Sequence, residues 1–101
     1  MLNIKKTIQN DAVTFELEGR LNIVETPALQ AAVDEVIGDA PAIVFDFKKL
    51  EYLSSAGLRI LLTTQQDMEE TGRPDVTVQG ANADILGVFA VTGFDSVLNI
   101  K

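Results

Sequence analysis

The chain has 101 residues, a formal net charge of −7, 47% hydrophobic and 23% charged residues, and neither cysteine nor histidine. That length suits one domain over residues 1–101 with a single core. The missing residue types exclude disulfides, thiolate metal sites, thiol nucleophiles and Ser-His-Asp hydrolysis, and the acidic balance gives no basic footprint for nucleic acid. No apolar run approaches the roughly 20 residues of a membrane span, and Met1-Leu2-Asn3-Ile4-Lys5 has no signal-peptide core. A cytoplasmic protein without membrane insertion, metal or cofactor is expected, and not an enzyme, because a general base paired with a nucleophile is missing.

In chain order, Leu2, Ile4 and Ile8 alternate with polar residues, Lys6 interrupting, and Val13, Phe15 and Leu17 alternate with Thr14, Glu16 and Glu18. With Asn10-Asp11 between them they predict a β-hairpin with one buried face, ending at Gly19. Thr26-Pro27 predicts a helix start, a capping hydroxyl followed by proline at the first helical position. Leu29, Ala32, Val33, Val36 and Ile37 continue it at helical spacing, and Gly38 with Pro41 stops it. The apolar run Ala42–Phe47 fits a central strand covered on both faces. A second helix carries Leu58, Leu61, Leu62 and Met68 and ends at Gly72-Arg73-Pro74. Val76 and Val78 mark a short strand. Asn82 caps a third helix through Ile85, Leu86 and Phe89, which Gly93 terminates. Val97, Leu98 and Ile100 add a last short strand or dock the tail. The order predicts an α/β domain with a mixed β-sheet of four to five strands, opened by a β-hairpin, with helices packed largely on one face.

The stretch Lys48-Lys49-Leu50-Glu51-Tyr52-Leu53-Ser54-Ser55-Ala56-Gly57-Leu58 is the most informative. It reads as a loop leading from the central strand to the second helix, with two hydroxyls at the helix start. The free N–H groups and positive dipole end there favour an added negative charge, so either serine suits a helix cap, a phosphate acceptor or both. The loop Asn22-Ile23-Val24-Glu25-Thr26 follows the second strand and is expected at the same edge. Asp46 suits accepting loop N–H bonds, Gly57 close packing, and Arg59 either a carboxylate such as Glu51 or a phosphate on Ser55.

These residues resemble the STAS domain family, in particular its stand-alone bacterial anti-sigma factor antagonists. Three elements carry the resemblance over essentially the whole chain: Gly19-Arg20-Leu21-Asn22 before Thr26-Pro27-Ala28-Leu29; Val44-Phe45-Asp46 followed by Ser54-Ser55-Ala56-Gly57-Leu58; and Thr92-Gly93-Phe94. Ser54 and Asn22 stand where the family often has aspartate, and Ala56 where it often has a hydroxyl. The resemblance implies partner switching. The unphosphorylated protein binds an anti-sigma factor that is also a serine kinase and frees a sigma factor. Phosphorylation releases it, and a PP2C-type phosphatase resets it. It places the acceptor at Ser55, with Ser54 second, and the partner-binding residues at Asn22, Val24, Glu25, Thr26, Ser54, Ser55, Ala56, Gly57 and Arg59. The alternative within the family is a non-switching interaction module, a signalling scaffold or the small subunit of a lipid-transport ABC system.

Overall fold

In the computed structural model, which describes residues 2–9 and 11–101, five strands form one sheet in the sequential order β1 (Leu2–Gln9), β2 (Ala12–Leu21), β3 (Ile43–Leu53), β4 (Thr77–Gln79), β5 (Asn99–Ile100). β1 and β2 are antiparallel, and every later pair is parallel. Asn10, read as part of the hairpin turn, lies outside the described residues; Asp11 beside it takes φ 66°.

Parallel neighbours need crossovers, and crossovers are right-handed. Each of the three steps the same way along the sheet, so α1 (Thr26–Asp34), α2 (Ser55–Glu70) and α3 (Ala83–Thr92) fall on one face. Their buried residues, Leu29 and Val33, Ile60, Leu61 and Met68, and Ile85 and Phe89, share one core with Val13, Phe15, Leu17, Ile43, Phe45, Phe47 and Val78. The opposite face carries Lys5, Glu16, Asp46 and Gln79 in one cross-strand row. Val44 on that face is half-buried, so β3 is not covered by helices on both faces as its apolar run implied. Asp46 is nevertheless buried: its carboxylate accepts from the Lys48 N–H at 3.0 Å and the Gln79 amide at 3.4 Å.

Three boundaries differ from the sequence expectations. β3 does not end at Phe47 but runs to Leu53, because two register shifts against β2 insert extra residues. Each bulge flips the alternation, so Phe47, Leu50 and Leu53 all point into the core although three residues apart. β2 likewise continues past Gly19 to Leu21; Gly19 takes φ 107° at the second shift, a conformation that disfavours any Cβ. α1 stops at Asp34, and turns at 35–39 carry the chain to Ala40. The Arg73 guanidinium closes that segment by donating to the carbonyls of Ile37 (2.6 Å) and Ala40 (2.8 Å).

Both signals that bound α3 hold. Asn82 Oδ1 accepts from the Ile85 N–H at 2.9 Å and starts α3, and Gly93 (φ 80°) ends it. On α2 the buried line is Gly57, Ile60, Leu61, Thr64, Gln65 and Met68, with Leu58 and Leu62 flanking it half-buried. Gln65 is a fully buried polar residue that the apolar period does not reveal. Its Oε1 accepts from the Val76 N–H at 2.6 Å, and its amide donates to Asp75 at 2.8 Å and Glu69 at 3.0 Å, which ties α2 to the chain entering β4.

Candidate functional site

β2 and β3 end side by side, with Leu21 paired to Leu53. The two segments that follow are therefore neighbours, and the Ser54 N–H donates to the Leu21 carbonyl at 3.0 Å. Ser54 is the N-cap of α2: extended (φ −78°, ψ 166°), 5% exposed, its Oγ accepting from the Gly57 N–H at 3.2 Å. Ser55 is the first helical residue and is exposed. The cap duty that the sequence left open between the two serines thus falls on Ser54. Among the described residues, the N–H groups of Ser55 and Ala56 have no protein partner, and α2 has no acidic residue in its first turn.

Gly57 is buried against the strand ends. A Cβ there would lie 2.7 Å from Leu21 Cδ2 and 2.7 Å from Leu53 Cδ1. Its role is close approach of helix to sheet, and like Ser54, which is also in the partner-binding set drawn from the sequence, it lies beneath the surface rather than on it. Seven of that set remain accessible wholly or in part: Asn22, Val24, Glu25, Thr26, Ser55, Ala56 and Arg59.

The β2–α1 connection forms a 3₁₀ turn, Ile23–Glu25. The Asn22 N–H donates to Glu25 Oε1 at 3.3 Å, and the Glu25 N–H donates to the Asn22 carbonyl at 3.1 Å. Thr26 is not the cap of α1. Glu25 occupies that position, Thr26 is the first helical residue with its hydroxyl donating back to the Ile23 carbonyl at 2.7 Å, and Pro27 follows. This turn pushes Ile23 and Val24 outward, 69% and 83% exposed. Ile23 is not in the residue set drawn from the sequence, yet it is exposed beside Val24 in the same turn. Its signal was the pair of adjacent apolar residues in a connection that has no strand or helix period to bury them.

Between α1 and α2 lies a shallow hollow of about 270 Å³ lined by Thr26, Pro27, Gln30, Ala56, Arg59, Ile60 and Thr63. Arg59 makes no ion pair with Glu51 or any other carboxylate among the described residues. The described residues contain no cluster of three metal-ligating side chains, and none of the helices is long and apolar enough to cross a membrane. The edge thus presents two exposed aliphatic residues, an exposed serine at a helix start, and an arginine with no ion-pair partner among the described residues.

A family model described as "Mlab, STAS domain" matches residues 4–99. The anti-sigma-F factor antagonist RsfB of Mycobacterium tuberculosis is 30% identical over 73 residues, 71% of this chain; the match spans 60% of that relative's length. An anti-sigma factor antagonist from Mycobacterium paratuberculosis superposes with a TM-score of 0.88 at 24% identity, over 99% of this chain and 85% of that one. The Bacillus cell fate determinant SpoIIAA in its phosphorylated form superposes with a TM-score of 0.77 at 16% identity, over 100% and 91% of the two chains. At those identities the two superpositions show a shared fold. Together with the helix-start serines and the sequential mixed sheet, the family match shows that the chain belongs to the STAS domain family.

Proposed function

We propose that this chain is an anti-sigma factor antagonist controlled by phosphorylation of Ser55. Unphosphorylated, it binds an anti-sigma factor that is also a serine kinase, and a sigma factor is released; a PP2C-type phosphatase restores the binding form. It acts in the cytoplasm as a binding protein rather than a catalyst.

One observation carries this reading: the two serines are divided between structure and surface. Ser54 is buried and holds the helix start, while Ser55 is exposed one residue later. That difference supports Ser55 over Ser54 as acceptor. A phosphate there adds about −1.5 to −2 charge at pH 7, beside free N–H groups and the positive end of α2, where the folded state tolerates it. A partner surface fitted to a small neutral hydroxyl then meets a bulky dianion, and the desolvation cost weakens the complex.

Incubation with the purified anti-sigma factor/kinase and ATP, read by intact mass and peptide mapping, tests this. One phosphate on Ser55, absent from Ser55→Ala, is the expected result. A protein that binds the partner but takes up no phosphate would instead be a constitutive interaction module, such as a scaffold or a transport-system subunit.

A further inference from the structure

We propose that Arg59 is the residue that transmits the state of Ser55: unmodified, it offers its guanidinium to a carboxylate of the partner, and phosphorylation draws it into a pair with the phosphate. This rests on the reading of Ser55 given above and adds the device by which the charge acts.

The three arginines separate cleanly. Arg73 is committed to two backbone carbonyls. Arg20 lies over the Tyr52 ring, 4.6 Å from its centroid. Arg59 donates to nothing and pairs with nothing among the described residues, and it borders the hollow between α1 and α2. None of the three pairs with a carboxylate among the described residues, but Arg59 alone has neither a carbonyl nor a ring to engage its guanidinium. Its guanidinium is suited to planar, two-pronged recognition of a carboxylate.

Ser55 and Arg59 stand at i and i+4 on α2, both on its exposed side. That spacing brings side chains together on a helix surface, and the anion N-terminal to the cation is the favourable order. A dianion at position 55 therefore lies one helical turn from Arg59, within pairing reach. Binding loses twice: the surface gains a charge, and the partner's carboxylate loses its counter-ion.

The test uses full-length protein with phosphoserine incorporated genetically at position 55, so that no kinase is needed. In ³¹P and ¹⁵N NMR titrations, phosphate ionisation is expected at lower pH in the wild-type background than in Arg59→Gln. The Arg59 side-chain N–H resonance is expected to move on modification. Arg59→Lys is expected to restore part of the effect. Against the anti-sigma factor, unmodified Arg59→Gln is expected to bind about tenfold more weakly than wild type. Phosphorylation is expected to lower affinity by a smaller factor in that variant than in wild type. Identical phosphate titrations in the two backgrounds, or an equal fold-loss on phosphorylation in both, would overturn the inference. Failure of the kinase to label Ser55 would overturn the functional reading instead, while the phosphate titration would still decide the role of Arg59.

Discussion

Replacing Gly57 by alanine probes how tightly the site is tied to the sheet. In an open helix position this change stabilises by about 0.5–1 kcal/mol through backbone entropy. Here the new methyl would sit 2.7 Å from a methyl of Leu21 and 2.7 Å from one of Leu53, and 3.1 Å from Leu21 Cγ. Both leucines are buried, so neither can swing into solvent. Overpacking of this kind costs about 1–3 kcal/mol, and the net expectation is a loss of about 0.5–2 kcal/mol. For a domain of this size, each kcal/mol lowers Tm by about 4–8 °C. The same leucines end β2 and β3, so relief of the clash must shift the Asn22–Thr26 connection relative to Ser55. Partner affinity should therefore fall with stability. Gly87→Ala is the control, because a Cβ there meets nothing within 4 Å; it should raise Tm. Urea unfolding of both variants with calorimetric titration of the partner checks the pair. If Gly57→Ala is as stable as wild type, helix and sheet are not locked by that contact and the argument fails.

The adjacent serines should behave differently. Ser54→Ala should cost about 0.5–2 kcal/mol through loss of the cap, whereas Ser55→Ala should cost less than about 0.5 kcal/mol; thermal melts that rank them the other way would show the cap misassigned. Ser55→Asp should remain folded, because a carboxylate at a helix start is favourable, yet bind the anti-sigma factor about tenfold or more weakly; calorimetry at equal folded fraction checks this. Gln65→Leu should cost about 1–3 kcal/mol by leaving the buried Val76 N–H without an acceptor, measurable by urea denaturation and by faster amide exchange at Val76.

The parts of the fold legible in the sequence are those written by local physics. Asn82 and Gly93 bracket α3 because a side-chain acceptor and a left-handed terminus are short-range requirements. The hairpin is legible because one face alternates without interruption from Val13 to Leu17. The far half of β3 was not, because Phe47, Leu50 and Leu53 recur every three residues, a period belonging to neither strand nor α-helix. Bulges opposite Glu16–Glu18 and Gly19–Arg20 produce it, and they depend on pairing with β2. Thr26 misled for a related reason. The Thr-Pro signal has the right composition for a helix start, but the preceding 3₁₀ turn moves the cap back to Glu25. At the site, chemistry was legible and accessibility was not. Two hydroxyls before Gly57 mark a helix start, but only the contact with Leu21 and Leu53 decides which of them faces water. Gln65 was invisible for want of any local signal, since its partner backbone lies eleven residues away.

Among the described residues, β1 is an edge strand whose outer margin has no strand partner. Such a margin is a template for a further strand, and here it runs eight residues with Ile8 70% exposed near one end. Successive side chains point to opposite faces, so the adjacent lysines at its centre guard both. Lys5 leans over the open face toward Glu16 at 3.9 Å, and Lys6 reaches across the helical face to Glu35 at 3.6 Å. A second copy aligning antiparallel through the middle of β1 would set lysines against lysines and strip water from them. Neutralising both, as in a Lys5→Thr, Lys6→Val double variant, would leave a strand with no charged side chain, open to edge-to-edge addition. The two charges, in exposed pairs worth little to the folding of one molecule, set a cost on edge-to-edge pairing of two.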